Sequence, residues 1–181
     1  WPSARFYPGM ASDPIRGKIL MFGGDNGNVV LGDTWEWDGL NWQQMAPATL
    51  PTPRLFPAMA YCYANQRILM FGGGPGLQID YMYEWDGIDW IDRSNNPTNP
   101  PGYAGAIVST PWNGHVIRQF GIGVVNNRYT FYNDTWDYDG VNWSPLPTSN
   151  WPSMRGGCNL CEYPPSQQIL LGNGLIYENP F

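Results

Sequence analysis

Ile19-Leu20-Met21-Phe22-Gly23-Gly24 returns almost unchanged as Ile68-Leu69-Met70-Phe71-Gly72-Gly73. A looser copy, Ile117-Arg118-Gln119-Phe120-Gly121, and a fourth, Ile169-Leu170-Leu171-Gly172-Asn173-Gly174, follow, so that successive copies begin 49, 49 and 52 residues apart. A short apolar run ended by glycine reads as a buried strand cut off by a turn, and its return at a near-constant interval makes the chain an array of similar units.

Two further markers travel with this run. Downstream stand the aromatic pairs Trp37-Asp38-Gly39-Leu40-Asn41-Trp42, Trp85-Asp86-Gly87-Ile88-Asp89-Trp90 and Tyr138-Asp139-Gly140-Val141-Asn142-Trp143. Asp-Gly between apolar residues predicts a type I′ hairpin turn, in which both central residues take positive φ. Upstream stand Pro2-Ser3-Ala4-Arg5, Pro51-Thr52-Pro53-Arg54, Pro100-Pro101-Gly102-Tyr103 and Pro152-Ser153-Met154-Arg155. Each unit therefore reads as four strands: a after the Arg, b ending at the glycines, c running into Asp-Gly, and d from the second aromatic. The units span 1–50, 51–99, 100–150 and 151–181, and strand b is predicted near 17–22, 66–71, 115–120 and 167–171. The expected fold is one all-β domain over residues 1–181, built from four-stranded antiparallel blades. A lone twisted sheet cannot bury both faces, so blades must stack about an axis as in a propeller, with the strand c and d aromatics filling the gaps.

The spacing near 50, the double glycine closing strand b and the later aromatic pair resemble Kelch repeats over essentially the whole chain. That resemblance implies a Kelch-like β-propeller of four repeat units, a role in binding proteins or glycans, and only a minority prospect of enzymatic activity. The third unit departs from the pattern, with Tyr103 in place of the Arg and Gly121-Ile122-Gly123 in place of the glycine pair. In the fourth, Ile176-Tyr177-Glu178 matches the middle of strand c, and Asn179-Pro180-Phe181 stands where the turn belongs. Kelch propellers close with five to seven blades, so either a longer chain or a second copy is expected to cover the open faces, making a homo-oligomer one possible partner arrangement.

Composition narrows the function. The net charge of −6, with 9 Lys and Arg dispersed along the chain, argues against nucleic acid, whose phosphates require clustered positive charge. Apolar runs such as Ile19–Phe22 are far too short to cross a bilayer, so no membrane insertion is expected. The 10 Trp, 11 Tyr and 7 Phe supply a core that a disordered chain rich in Gly and Pro would lack. A start at Trp1 without an initiator Met suggests processing or trimming, and with one Lys and abundant Trp, Asn and Gly it points to an extracellular or periplasmic location.

No cofactor and no metal are expected. His115 is the one imidazole and reads as an exposed turn residue. Glu36, Glu84 and Asp137 recur inside the strand c signature, which marks them as parts of the fold; a carbohydrate-active enzyme with paired carboxylates stays as an alternative. Asp25-Asn26-Gly27-Asn28 reads as an Asn-Gly turn rather than a calcium loop. Cys158 and Cys161 align with Pro8 and Ala11 of the first unit and read as small buried thiols on strand a. The sequons at Asn133 and Asn142 also fit the repeat.

Positions that vary between blades are free to carry function. The b-to-c loops hold Asn26 in the first unit and Arg128 with Tyr129 in the third; the d-to-a loops hold Asn96. These, with Arg5, Arg54, Tyr103 and Arg155 converging on one face, are the candidate ligand-binding residues for a protein or glycan, because guanidinium forks and aromatic faces suit acidic peptides and sugars. The plainer reading is that the arginines tie strand a to a neighbouring carbonyl. A structural subunit assembling through open blade faces is the second functional reading.

Overall fold

The computed structural model describes residues 1–74, 81–102, 105–125, 128–147, 155–156, 160–171 and 175–176. Three antiparallel four-stranded sheets follow one another, each with its strands in chain order. The first holds β1 (Gly9–Asp13), β2 (Lys18–Phe22), β3 (Thr34–Trp37) and β4 (Trp42–Met45). The second holds β5 (Ala58–Cys62), β6 (Arg67–Phe71), β7 (Met82–Trp85) and β8 (Trp90–Asp92). The third holds β9 (Ala106–Thr110), β10 (His115–Val125), β11 (Arg128–Tyr138) and β12 (Trp143–Pro145). In the fourth unit β13 (Arg155–Gly156) precedes β14 (Leu160–Tyr163), a single 3-10 turn at Pro164–Ser166, β15 (Gln168–Leu171) and β16 (Leu175–Ile176). Among the described residues there is no α-helix, and no helix is long and apolar enough to cross a membrane.

Period-two alternation explains the stacking. Ile68 and Met70 of β6 point one way, joining Met59, Tyr61, Tyr83, Trp85 and Trp90 against Leu20 and Phe22 of the first sheet. Leu69 and Phe71 point the other way, joining Ala60, Cys62 and Met82 against Val116, Tyr138 and Trp143 of the third. A strand buried on both faces has no polar side to show, which is why Ile68 to Phe71 is unbroken apolar sequence. Each large side chain fully withdrawn from water in these two seams contributes about 1.5–3 kcal/mol. Corresponding strands of successive units lie against one another, β1 against β5, β5 against β9 and β9 against β14.

The aromatic pairs fill the gaps between sheets by a repeated rule. Trp85 donates its Nε1–H to Glu36 Oε1 at 2.9 Å, and Trp90 donates to Thr34 Oγ1 at 3.0 Å. One sheet further on, the Tyr138 hydroxyl donates to Glu84 Oε1 at 2.7 Å and Trp143 Nε1–H points at Met82 Sδ at 3.4 Å. Trp37 and Trp42, the same pair in the first sheet, are half-buried and contact one another, and Trp37 also contacts Trp1.

Several expectations are corrected. The hairpin turns are not type I′: positive φ falls on the glycine alone, at 96° for Gly39, 104° for Gly87 and 98° for Gly140. The Asp38 N–H bonds the Asn41 carbonyl at 3.2 Å, which leaves Gly39 and Leu40 as the central pair and glycine at the position a type II′ turn reserves for it. Asp38 serves instead as the side-chain cap, its Oδ1 accepting from the N–H of Leu40 at 2.8 Å and of Asn41 at 2.7 Å, as Asp86 and Asp139 do in the next two sheets. Strand b of the third unit does not stop at 120 but continues to Val125, and Arg128 and Tyr129 belong to strand β11 rather than to a loop. A bulge at Phe120, whose φ is 61°, lets the ladder absorb one extra residue and go on. Ile176 does not sit in the middle of strand c: it pairs with Arg155, and Leu175 with Gly156, the relation Asp25 bears to Phe6 in the first unit. Cys161 is exposed, not buried. His115 is no free turn residue; it opens β10, half-buried, with Nδ1 2.8 Å from Asp137 Oδ2. Cys158 lies outside the described residues.

Candidate functional site

A buried guanidinium stands at the glycine-pair end of each of the three sheets. Arg5 donates from Nη1 to the Gly23 carbonyl at 3.0 Å and grips Asp33 with both terminal nitrogens, at 2.6 and 2.9 Å. Trp35 Nε1–H adds a bond to the same carboxylate at 2.6 Å. Burial pushes the Asp33 pKa up, but the bonds from Arg5 and Trp35 outweigh it and hold the group below the usual carboxylate value. Arg54, 1% exposed, donates from Nη1 to the Gly72 carbonyl and from Nε to the Thr52 carbonyl, both at 3.0 Å. Its guanidinium carbon lies 5.7 Å from the Tyr81 ring centre and 5.3 Å from that of Tyr83. Burial draws its pKa below the ordinary value, with Tyr83 and Tyr81 opposing.

The third unit reaches the same arrangement from a different position. Its guanidinium is that of Arg118, inside strand β10 where the first two sheets have Leu20 and Leu69. Nη2 donates to the Pro101 carbonyl at 3.0 Å, Nη1 lies 3.8 Å from Asp134 Oδ1, and the Phe71 ring is 5.2 Å away. Gly121 makes this fit: a Cβ there would collide with the Arg118 guanidinium. Trp136 Nε1–H bonds Asp134 at 2.7 Å, as Trp35 bonds Asp33.

Beside these posts lies a cluster of exposed aromatic rings. Tyr7 and Phe56, aligned residues two positions after Arg5 and Arg54, stack with ring centres 4.1 Å apart and planes at 27°. They are 56% and 55% exposed, and Phe6 next to them is 64% exposed. Both hold φ at 54°, in the left-handed region that costs a non-glycine residue roughly 1–2 kcal/mol. The main chain enforces it: Phe56 N–H bonds the Tyr7 carbonyl at 3.0 Å, and Phe6 exchanges two bonds with Asp25 at 2.7 and 2.9 Å. At the aligned position the third and fourth units have Gly105 and Gly157.

The residues expected to converge are distributed as follows. Arg5 and Arg54 occupy equivalent places at one end of adjacent sheets, committed to the carbonyls just named. Asn26 sits on the connection beside Phe6, its Oδ1 accepting from Asn28 and Val29 N–H at 3.0 Å each. Asn96 stands apart, its Nδ2 donating at 2.8 Å to the Val141 carbonyl in the β11–β12 turn, at the opposite end of the strands. Arg128 is exposed and pairs with Val125 at the tip of the β10–β11 ribbon. That ribbon continues five residue pairs beyond the bulge, a projection of roughly 16 Å. Tyr103 lies outside the described residues, as do the side chains of Arg155 and Tyr129. The sequence reading missed Phe6, Tyr7, Phe56 and Arg118. The available signals were large aromatics aligned with glycine, and an arginine aligned with leucine.

Among the described residues Glu84 is the most connected acid. Fully buried, it accepts from Asn65 at 2.6 Å, Arg67 at 3.2 Å, Arg93 at 3.0 Å and Tyr138 at 2.7 Å. Burial first, then the bond to Glu84, push the Tyr138 pKa far above the usual phenol value, and burial raises the Cys62 thiol. All four Glu84 partners bind structure to structure, leaving this carboxylate no free lone pair for a substrate. Among the described residues no three His, Cys, Asp or Glu side chains gather as metal ligands would. No protein-family model matches the chain, and comparison with curated proteins likewise finds no match.

Proposed function

We propose that the chain is a non-catalytic binding module of Kelch-like propeller type, presenting the end that carries Phe6, Tyr7 and Phe56 to a protein or glycan ligand. The carrying observation is the Tyr7–Phe56 stack: two half-exposed rings held on left-handed backbone at a position where other units have glycine. Backbone strain that serves no core contact persists where it positions a side chain for use, and flat aromatic faces at low entropy cost suit sugar rings and peptide side chains alike. Screening the chain against glycan arrays and by affinity capture, in parallel with Tyr7→Asn/Phe56→Asn, tests this. Ligands retained by the double variant at undiminished affinity would count against the reading.

A second reading, a structural subunit assembling through open sheet faces, draws on Trp37 and Trp42. Their counterparts Trp85, Trp90, Tyr138 and Trp143 are buried against a preceding sheet, whereas these two are half-exposed. Solution mass that climbs with concentration favours this reading.

A further inference from the structure

The three guanidinium posts differ in their counter-charge. Asp33 and Asp134, each immediately before the third-strand residues Thr34 and Thr135, supply a carboxylate to Arg5 and Arg118. In the second sheet the residue at that place, before Met82, is Tyr81. Among the described residues Arg54 thus bonds main-chain carbonyls and lies against tyrosine rings, and its Nη2 is buried with no hydrogen-bond partner. Asp92, which pairs with Tyr83 in the β7–β8 ladder, acts on Arg54 through its charge but forms no salt bridge with it. A buried cation without a directly paired carboxylate is costly, and a planar guanidinium with an unbonded nitrogen matches a carboxylate. Tyr81, 37% exposed, has its ring centre 5.7 Å from the Arg54 guanidinium carbon.

We infer that Arg54 is a receptor for a carboxylate on the chain's ligand, reached when the Tyr81 ring swings aside. The inference rests on the binding role proposed above and assigns the chemistry of one group of that ligand. Phe56, two residues from Arg54, places the aromatic stack next to the charged post, so a ligand with an apolar ring or side chain beside an acid engages both.

The test is thermal unfolding of the intact chain at pH 7 in sodium acetate against sodium chloride of equal ionic strength. Acetate is expected to raise Tm by roughly 3–6 °C at ten times its Kd, and the rise is expected to vanish in Arg54→Met. Tyr81→Asp supplies the missing carboxylate within the chain, so this variant should melt higher than the parent without acetate and ignore acetate when it is added. This arm stays decisive even if Arg54→Met folds poorly. An acetate response shared by Tyr81→Asp overturns the inference, as does no response in the parent. Asp80, beside Tyr81 in sequence, is the internal rival: if Asp80→Asn alone lowers Tm and creates acetate sensitivity absent from the parent, the counter-charge is internal and the inference fails. Because acetate contacts no aromatic ring by design, the result is independent of the ligand capture that tests the binding role.

Discussion

The hydroxyl of Tyr138 donates to Glu84 Oε1 at 2.7 Å across the seam between the second and third sheets, both groups withdrawn from water. A hydrogen bond to a buried charge is worth about 1.5–3 kcal/mol, so Tyr138→Phe should lower the unfolding free energy by that amount. Tyr61 is the internal control. Its hydroxyl is buried with no hydrogen-bond partner among the described residues, so Tyr61→Phe should leave stability unchanged or raise it by up to about 1 kcal/mol. Urea midpoints at constant m-value read both; equal losses in the two variants would contradict the assignment.

Arg118→Leu restores the residue that the first two sheets carry at that place, yet it should destabilise. It leaves the Pro101 carbonyl without its donor and Asp134 without its cation, a loss of about 1–3 kcal/mol given that Asp134 is partly solvated and keeps Trp136. The repeat also predicts rescue. Adding Tyr103→Arg returns the guanidinium to the position used by Arg5 and Arg54, and the double variant should recover part of the loss in the same urea titration.

These two cases show where the sequence was legible. Strand positions follow from the glycine pairs and aromatic pairs because period-two burial and positive φ are local requirements, and β2, β6 and β15 fall within a residue of their predicted bounds. Arg118 was hidden because its partners, the Pro101 carbonyl and Asp134 of β11, lie on other segments of the chain, a relation that no local pattern carries. The turn type was misread because Asp-Gly is consistent with two registers. The Asp38 carboxylate capping Leu40 and Asn41 selects the one with Gly39 first. Tyr7 and Phe56 lie in a connection whose φ is imposed by bonds to other segments, so their exposure was not readable from their own neighbourhood.

Acid should unfold the chain from its carboxylates. Asp33 is held below the ordinary 3.8 despite burial, by Arg5 and Trp35, and Asp139 is held below it chiefly by the Asn142 N–H. A folded pKa lower than the unfolded one gives stability that is present in full above about 4 and is lost as pH falls through the lowered values. Tm should therefore stay level from pH 7 to about 5 and drop steeply below 4, with a shallower drop in Asp33→Asn. At the alkaline end the sign reverses. Burial pushes Tyr61 up to about 12, so the stability it contributes is present below its ordinary pKa of 10 and is lost as pH rises from 10 towards 12.

The aromatic pair gives the last prediction, because strain and packing act on it in opposite directions. Replacing a stacked, buried aromatic pair usually costs several kcal/mol, about 3–5 for each ring fully enclosed by the core. Tyr7 and Phe56 are more than half exposed, so their rings lose much less on removal, on the order of 1–2 kcal/mol each including the stack. Asn tolerates left-handed φ far better than Tyr or Phe, and relief of that strain returns up to about 1 kcal/mol per residue. Tyr7→Asn/Phe56→Asn should therefore stay within about 2 kcal/mol of the parent in urea unfolding, with the same far-ultraviolet circular dichroism, while ligand capture is lost. A collapse in stability matching that of a core deletion would mean the two rings hold the first and second sheets together. The strained backbone would then be a cost of folding, and the surface around Phe6, Tyr7 and Phe56 would lose its standing as the place where a ligand binds.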